Sequence, residues 1–305
     1  MTRTLSILMA FVAPLVTQAQ EYPTKSIRAI VSFAPGGVVD TSTRIVTAKL
    51  QETLNWHFVV DNRPGANGFI GAAAAAKANA DGYTLLSAHT GELAVNPVMF
   101  KTMPYDENTF APVIMLSDAP MLIVVNINNA AINSIKDLVA AAKAKPGVVN
   151  FGSPGTGSVN HMASEWFAAA AGAKMTHVPY KGGAPAVVAV ATGDATFTVA
   201  GLPGVLPHLQ GKRVKVLGIT TAKRSPMVPD YPTAQEMGVP GVDASIWVGF
   251  FVPRGVPTPM VNRLYSATAD VLKRNDVKER LAVVGGAEAT ALAGAAFQAR
   301  IASDL

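Results

Sequence analysis

From Ser26 onward, short runs of β-branched and other apolar residues alternate with longer amphipathic or alanine-rich stretches, separated by Gly- and Pro-containing turns. The runs predict strands over 27–33, 58–61, 83–87, 113–125, 148–151, 175–178, 196–199, 214–220 and 245–252. The stretches between them predict helices over 40–54, 68–79, 134–145, 158–171, 184–191, 258–274 and 276–284. Strands alternating with helices of this length imply an α/β fold of parallel sheets covered by helices. The alanine runs 72–76 and 168–171 are helix formers that pack closely. A strand, a Gly-rich loop and a helix open the chain as V-S-F-A-P-G-G-V-V-D (31–40) and recur as V-N-F-G-S-P-G-T-G-S (149–158). Between them the apolar run 111–126 is long enough to cross from one sheet to another. Two α/β lobes joined by crossover strands follow, with one large sheet as the rival arrangement.

Composition narrows the class. The chain has 305 residues, half of them apolar and 15% charged, with no cysteine. Disordered, collagenous and disulfide-stapled chains are excluded, as are Cys-ligated metal centres. The net charge of +5 is spread thinly, and no basic run exceeds pairs such as Lys212-Arg213. A nucleic-acid partner would need a concentrated basic face. The head of the chain, M-T-R-T-L-S-I-L-M-A-F-V-A-P-L-V-T-Q-A-Q, places Arg3 before an apolar run over 5–16 and small residues at Thr17 and Ala19. This is the pattern of a secretory signal over 1–19, too short to span a bilayer. Export is the expectation.

Both Gly-rich loops sit between a strand and a helix. Glycine lets a ligand approach the backbone, and the first amides of a helix have no internal acceptor and carry the positive dipole end. Asp40 is positioned to cap the first helix, and Ser153, Thr156 and Ser158 add hydroxyls to the second loop. Taken singly each loop also reads as a tight turn. As a pair they suit an anion shared between lobes. Neither loop holds the lysine of a phosphate-binding P-loop, and 152–157 lacks the spacing of a dinucleotide fingerprint.

Catalytic signatures are missing. There is no G-x-S-x-G elbow and no H-E-x-x-H, and the five histidines are scattered apart from His161 with Glu165. A Ser153/His161/Asp194 hydrolase can be drawn, but the spacing does not require it. Trp56, Trp166, Trp247 and Phe250 read as core, with Trp247 the one to watch near the second crossing. Tyr180-Lys181-Gly182-Gly183 is a third possible cleft loop, in which Lys181 could equally be a solvated turn residue.

Together these segments resemble the Bug-type periplasmic solute-binding proteins of tripartite tricarboxylate transporters. The resemblance runs through F-A-P-G-G-V-V-D with Arg44, D-N-R-P-G-A-N-G (61–68), A-D-G-Y-T-L-L (80–86), A-V-N-P (94–97) and F-G-S-P-G-T-G-S-V-N-H (151–161). It continues through V-P-Y-K-G-G-A-P-A (178–186), P-T-A-Q-E-M-G (232–238) and W-V-G-F-F-V-P (247–253). It implies a two-lobe type II periplasmic-binding-protein fold, with 20–122 and 222–305 forming lobe 1 and 123–221 lobe 2. A mono- or dicarboxylate, aromatic acids included, would sit between the lobes, with no catalysis, cofactor or metal.

The resemblance carries one carboxylate to Pro35, Gly36 and Gly37, with Asp40 steadying that loop. It carries the second loop to Ser153, Gly155, Thr156, Ser158 and His161, with Tyr180, Gly182 and Gly183 near and Ser87 and Thr90 on a first-lobe loop. Ala200-Gly201 stands where many members hold a polar pair, often Asp-Asn, which disfavours an amino-acid ligand. The implied partners are the ligand and a membrane permease, with the receptor a periplasmic monomer. A sensory module presenting ligand to a membrane kinase would use the same cleft.

Overall fold

The computed structural model describes residues 22–106 and 108–304; the expected signal over 1–19 lies outside them. Eleven strands fall into two sheets. The first has six strands: β1 (Ile27–Val31), β2 (Phe58–Asn62), β3 (Thr84–His89), β4 (Phe110–Pro120), β10 (Ser245–Pro253) and β11 (Glu288–Ala289). The second has five: β5 (Leu122–Asn126), β6 (Asn150–Ser153), β7 (Thr176–Pro179), β8 (Phe197–Ala200) and β9 (Val214–Ile219). A single sheet is therefore excluded.

The sheets are mixed, which corrects the all-parallel expectation. β1 pairs parallel with β2 and β3, and β6 parallel with β7 and β8. β10 runs antiparallel to β3 and β4, and β5 antiparallel to β8 and β9. The reversals belong to the strands at the crossings, because a chain returning from one lobe enters the other sheet from the opposite end. The apolar run expected as one strand over 113–125 is β4 and β5, broken at Met121 so that each half joins a different sheet. Leu122 to Val125 are all fully buried, as a strand covered on both faces requires.

Helices cover both sheets. α1 (Val38–Leu54) buries Val39, Thr43, Val46 and Leu50, a three-to-four-residue stripe against the first sheet, and ends at Asn55 in the left-handed region. α2 (Phe69–Ala76) lays Ala72 and Ala75 on β1 and β3. After β3 a short π turn (Gly91–Val95) leads into α3 (Asn96–Met99). α4 (Ile135–Ala144) is capped by Ser134, whose hydroxyl accepts from the Asp137 amide. α5 (Val159–Ala170) and α6 (Gly183–Thr192) flank the second sheet. α8 (Thr258–Lys273) packs on α1 and β4, and α9 (Asn275–Arg280) continues into a π turn over Leu281–Gly285.

Three helices escaped the hydrophobic pattern, the single-turn α3 among them. α7 (Leu202–Gln210) holds prolines at 203 and 207 and a glycine at 204. Pro203 sits in the first turn, where no amide acceptor is lost; Pro207 is tolerated inside. α10 (Gly294–Ser303) is short and anchored mainly by Phe297, which is fully buried. Phe297 packs edge-on to Trp247 at 5.3 Å and beside Phe251 at 5.3 Å. Trp56, Trp247 and Phe250 are core as expected, whereas Trp166 is exposed on α5, which corrects its assignment to the core. Among the described residues no helix is long and apolar enough to cross a membrane.

Because Phe297 joins α10 to the aromatic core, Phe297→Ala should cost about 3–5 kcal/mol, measured by urea unfolding. A loss under about 1 kcal/mol would show that α10 adds little to the first lobe.

Candidate functional site

The first loop leaves β1 through Ser32 and Phe33 and turns at Pro35-Gly36-Gly37 into α1. Gly37, not Asp40, is the residue at the helix boundary, and no side chain caps it. Asp40 lies within the first turn, where its carboxylate accepts from the Gly36 amide at 3.0 Å, from Arg44 Nε at 2.9 Å and from Asn62 Nδ2 at 2.9 Å. Burial pushes this carboxyl up, but the Arg44 guanidinium, the Gly36 amide and the Asn62 amide outweigh it and hold the group below the ordinary carboxylate range. Asp40 is therefore an anionic brace that ties the loop back onto the helix. Pro35 and Gly36 are exposed, and the amides that open α1 lack intrahelical acceptors.

The second loop is more tightly knit. Ser153 is fully buried; its hydroxyl accepts from the Gly155 amide at 3.1 Å and lies 2.6 Å from His177 Nε2. Gly157 donates its amide to His161 Nδ1 at 3.1 Å, and the Ser158 hydroxyl accepts from the His161 amide at 3.2 Å, capping α5. Thr156 is exposed at the tip. The amides of Gly36, Gly155 and Gly157 are thus committed within their own loops, leaving Thr156 and the first turns of α1 and α5 as the open donors. Gly157 has φ +78°, and a Cβ there would meet the Phe100 ring at 2.8 Å, so only glycine fits.

The other expected residues divide. Tyr180 donates its amide to the Ser153 carbonyl at 2.9 Å, and Gly183 lies against Pro154, so the 180–183 loop sits beside the second loop. Lys181 is exposed. Ala200 is buried at the end of β8, and the following Gly201 abuts the start of α1: a Cβ on it would meet Val38 at 2.3 Å. This contact joins the two lobes next to the first loop. Ser87, by contrast, is fully buried beneath the loop with its hydroxyl on Thr43 at 2.6 Å. Thr90 faces the crossover, accepting from the Trp247 amide at 3.2 Å.

The drawn triad is not assembled. Ser153 contacts His177 rather than His161, and Asp194 precedes β8 at the other end of the sheet, accepting from Thr192. His177 had no distinguishing sequence signal beyond its place one strand away. It stacks on His161 with ring centres 3.9 Å apart. Burial, then the neighbouring His161, pushes His177 down to about 4; burial also lowers His161, opposed by Glu165. The hydrogen bond from Gly157 requires an unprotonated Nδ1 on His161, in keeping with the lowered affinity of both rings for a proton.

A cavity of about 820 Å³ opens beside this junction, walled by both lobes. Of the residues picked from the sequence only Thr90 lines it, with Val159 and Trp166 of α5, Asp118 and Arg300 among its neighbours. Its wall carries Asp118, Asp243, Glu288 and Asp304 against Lys223, Arg224 and Arg300. Arg300 is already held by Asp118 and Asp304 at 3.0 Å each, and Arg224 by Glu236. Acidic side chains outnumber basic ones on this wall, and both of its arginines are paired.

Two lobes, crossing strands and paired strand-to-helix loops define the class of two-lobe periplasmic binding proteins. The model of the tripartite tricarboxylate transporter family receptor matches residues 42–299, and the chain belongs to that family. Protein BugT of Bordetella pertussis is 35% identical over 291 residues, covering 93% of this chain and 89% of BugT. The solved structure of Rpa4515 from R. palustris with adipate is 34% identical and superposes with a TM-score of 0.88, covering 93% of this chain and 95% of that one. MatC from Rhodopseudomonas palustris with bound malate is 29% identical with a TM-score of 0.83, covering 93% and 97%.

The unfolded chain protonates a histidine near 6.5, whereas folded His177 waits until about 4. Folding therefore excludes protons between these values, and the share of stability that depends on His177 should be lost as pH falls from 6.5 to 4 and level off below. Melting temperatures of wild type and His177→Gln across that range check this; parallel curves would refute it.

Proposed function

We propose that the chain is an exported receptor that captures a small carboxylate between its lobes and delivers it to a membrane permease. The lobes divide as 20–122 with 222–305 and 123–221. The observation that carries this reading is that two strand-to-helix loops from different sheets each lie against the other lobe, the first where Gly201 abuts Val38 and the second where Asn67 reaches Thr156; each leads into helix amides and neither contains a lysine or arginine. A carboxylate held by such donors gains roughly 1.5–3 kcal/mol per charge-assisted hydrogen bond. A few of them, less ordering costs, leave the ~8 kcal/mol of a micromolar complex. That is tight enough to capture and loose enough to hand over.

The guest is placed at Pro35–Gly37, Thr156, Ser158 and the 180–183 loop, with Asp40, Ser87 and Ser153 bracing from beneath. His161 sets the Gly157 turn. Thr90 belongs to the edge that adjoins the cavity. Family membership and the adipate and malate complexes of the two R. palustris relatives favour a dicarboxylate. Ala200-Gly201 offers no acid for an ammonium group, so diacids are favoured over amino acids. Binding without turnover is the better reading, because the Ser153 hydroxyl is buried in its own loop and Asp194 is remote from it.

Calorimetry against succinate, malate, adipate and aromatic acids should give a micromolar complex with at least one. Affinity should fall as pH drops through the ligand's own carboxyl pKa, about 4 for model carboxyls. Silence across the panel, or ester hydrolysis abolished in Ser153→Ala, would overturn the reading.

A further inference from the structure

The loop 61–68, which carries D-N-R-P-G-A-N-G, leaves β2 and leads into α2. It reaches across to the second lobe. Asn67 Nδ2 donates to the carbonyl of Thr156 at 2.7 Å. Among the described residues, and outside the two crossovers, this is the side-chain hydrogen bond that joins the lobes. Its acceptor belongs to the exposed tip of the second donor loop, so it bears on the residue with the most open donors.

Asn67 is held to this task from behind. Ala66, Asn67 and Gly68 have φ of +47°, +51° and +87°, three successive left-handed residues that aim the amide outward from the loop. Asparagine is among the few side chains that accept this region readily. The Asn67 carbonyl accepts from Asn96 Nδ2 at 3.0 Å, Asn96 also donates to the Tyr105 hydroxyl at 3.1 Å, and Tyr105 donates to the Glu92 carbonyl at 2.8 Å. Asn96 and Tyr105 are both buried. Beside the bond, the Phe100 ring rests on Gly157 and is itself propped edge-on by Phe69 at 5.2 Å. A buried polar relay and an aromatic seat thus converge on one cross-cleft contact.

We propose that Asn67 is the latch of this receptor: a positioning residue that holds the Thr156 loop against the first lobe and sets the lifetime of the closed state. The effect on ligand rests on the carboxylate reading; the effect on closure does not. A latch made only when the lobes meet slows reopening and leaves encounter with ligand in the open state unchanged.

Asn67→Gly tests this, since glycine keeps the left-handed backbone and removes only the amide. Asn67→Asp tests it a second way, placing an acceptor against the Thr156 carbonyl at nearly constant volume. The chain has no cysteine, so spin labels can be set at exposed Lys77 and Lys174, one on each lobe, and their distance distribution measured. Without ligand, both variants should lose short distances that wild type populates. With adipate as the probe, dissociation should quicken roughly two- to tenfold, the range one neutral hydrogen bond supports, with association unchanged. Distances matching wild type in both variants would overturn the latch. If no diacid binds wild type, the carboxylate reading fails, while the ligand-free distances still decide the latch.

Discussion

The two lobes meet where a glycine of one leaves room for a side chain of the other. A Cβ on Gly201 would sit 2.3 Å from Val38, and one on Gly157 would sit 2.8 Å from Phe100. Neither separation is tolerated by real atoms, so each glycine licenses an approach that alanine would forbid. These contacts fall on different loops, one beside the start of α1 and one at the start of α5. Each helix head is thus approached by the other lobe through an absence of bulk. Everything polar at the junction is arranged around that fit.

The polar arrangement is economical in charge. No cation enters the donor loops, and the one nearby arginine, Arg44, is turned onto Asp40 and Asn62. The two histidines under the second loop are pushed below the ordinary imidazole range by burial, His177 also by its neighbour His161. At these two loops an anion would therefore meet dipoles rather than a full positive charge, while the adjoining 180–183 loop carries exposed Lys181. Dipolar binding of this kind weakens less with salt than an exposed ion pair and releases its guest when the lobes part. The cavity nearby makes the opposite case: its arginines are already paired and its wall holds more acid than base.

Much of the architecture was legible in the sequence because strand and helix periodicities are local. The repeated strand, glycine loop and helix announced two lobes, and the apolar run over 111–126 announced the crossing. What the pattern could not carry was direction: nothing in the residues of β10 or β5 says that they run antiparallel to their neighbours, since that follows from where the chain re-enters each sheet. α7 was hidden by its two prolines, which break a propensity argument but not a first turn. Asp40 suits a cap by residue type, yet the helix begins two residues earlier, at Val38, and the carboxylate serves the loop instead.

The site was legible as a set of loops, and less so as a set of donors. Gly36, Gly155 and Gly157 look from sequence like free amides, but loops this rich in glycine must be stiffened, and their own neighbours do it. Those bonds are local, but the bracing behind them is long-range: His177 is 24 residues from the serine it touches, and Asn67 is 89 residues from the carbonyl it reaches. No periodicity reports a contact at that separation. The second asparagine of D-N-R-P-G-A-N-G was the available signal, a residue type that tolerates the left-handed backbone and carries an amide donor. A loop whose own amides are occupied cannot adapt to a guest by rearranging; it can only be brought nearer or moved away. Recognition in this fold therefore resides in the closure of the lobes as much as in the loops, and the residue that governs closure belongs to the binding site even where it touches no ligand.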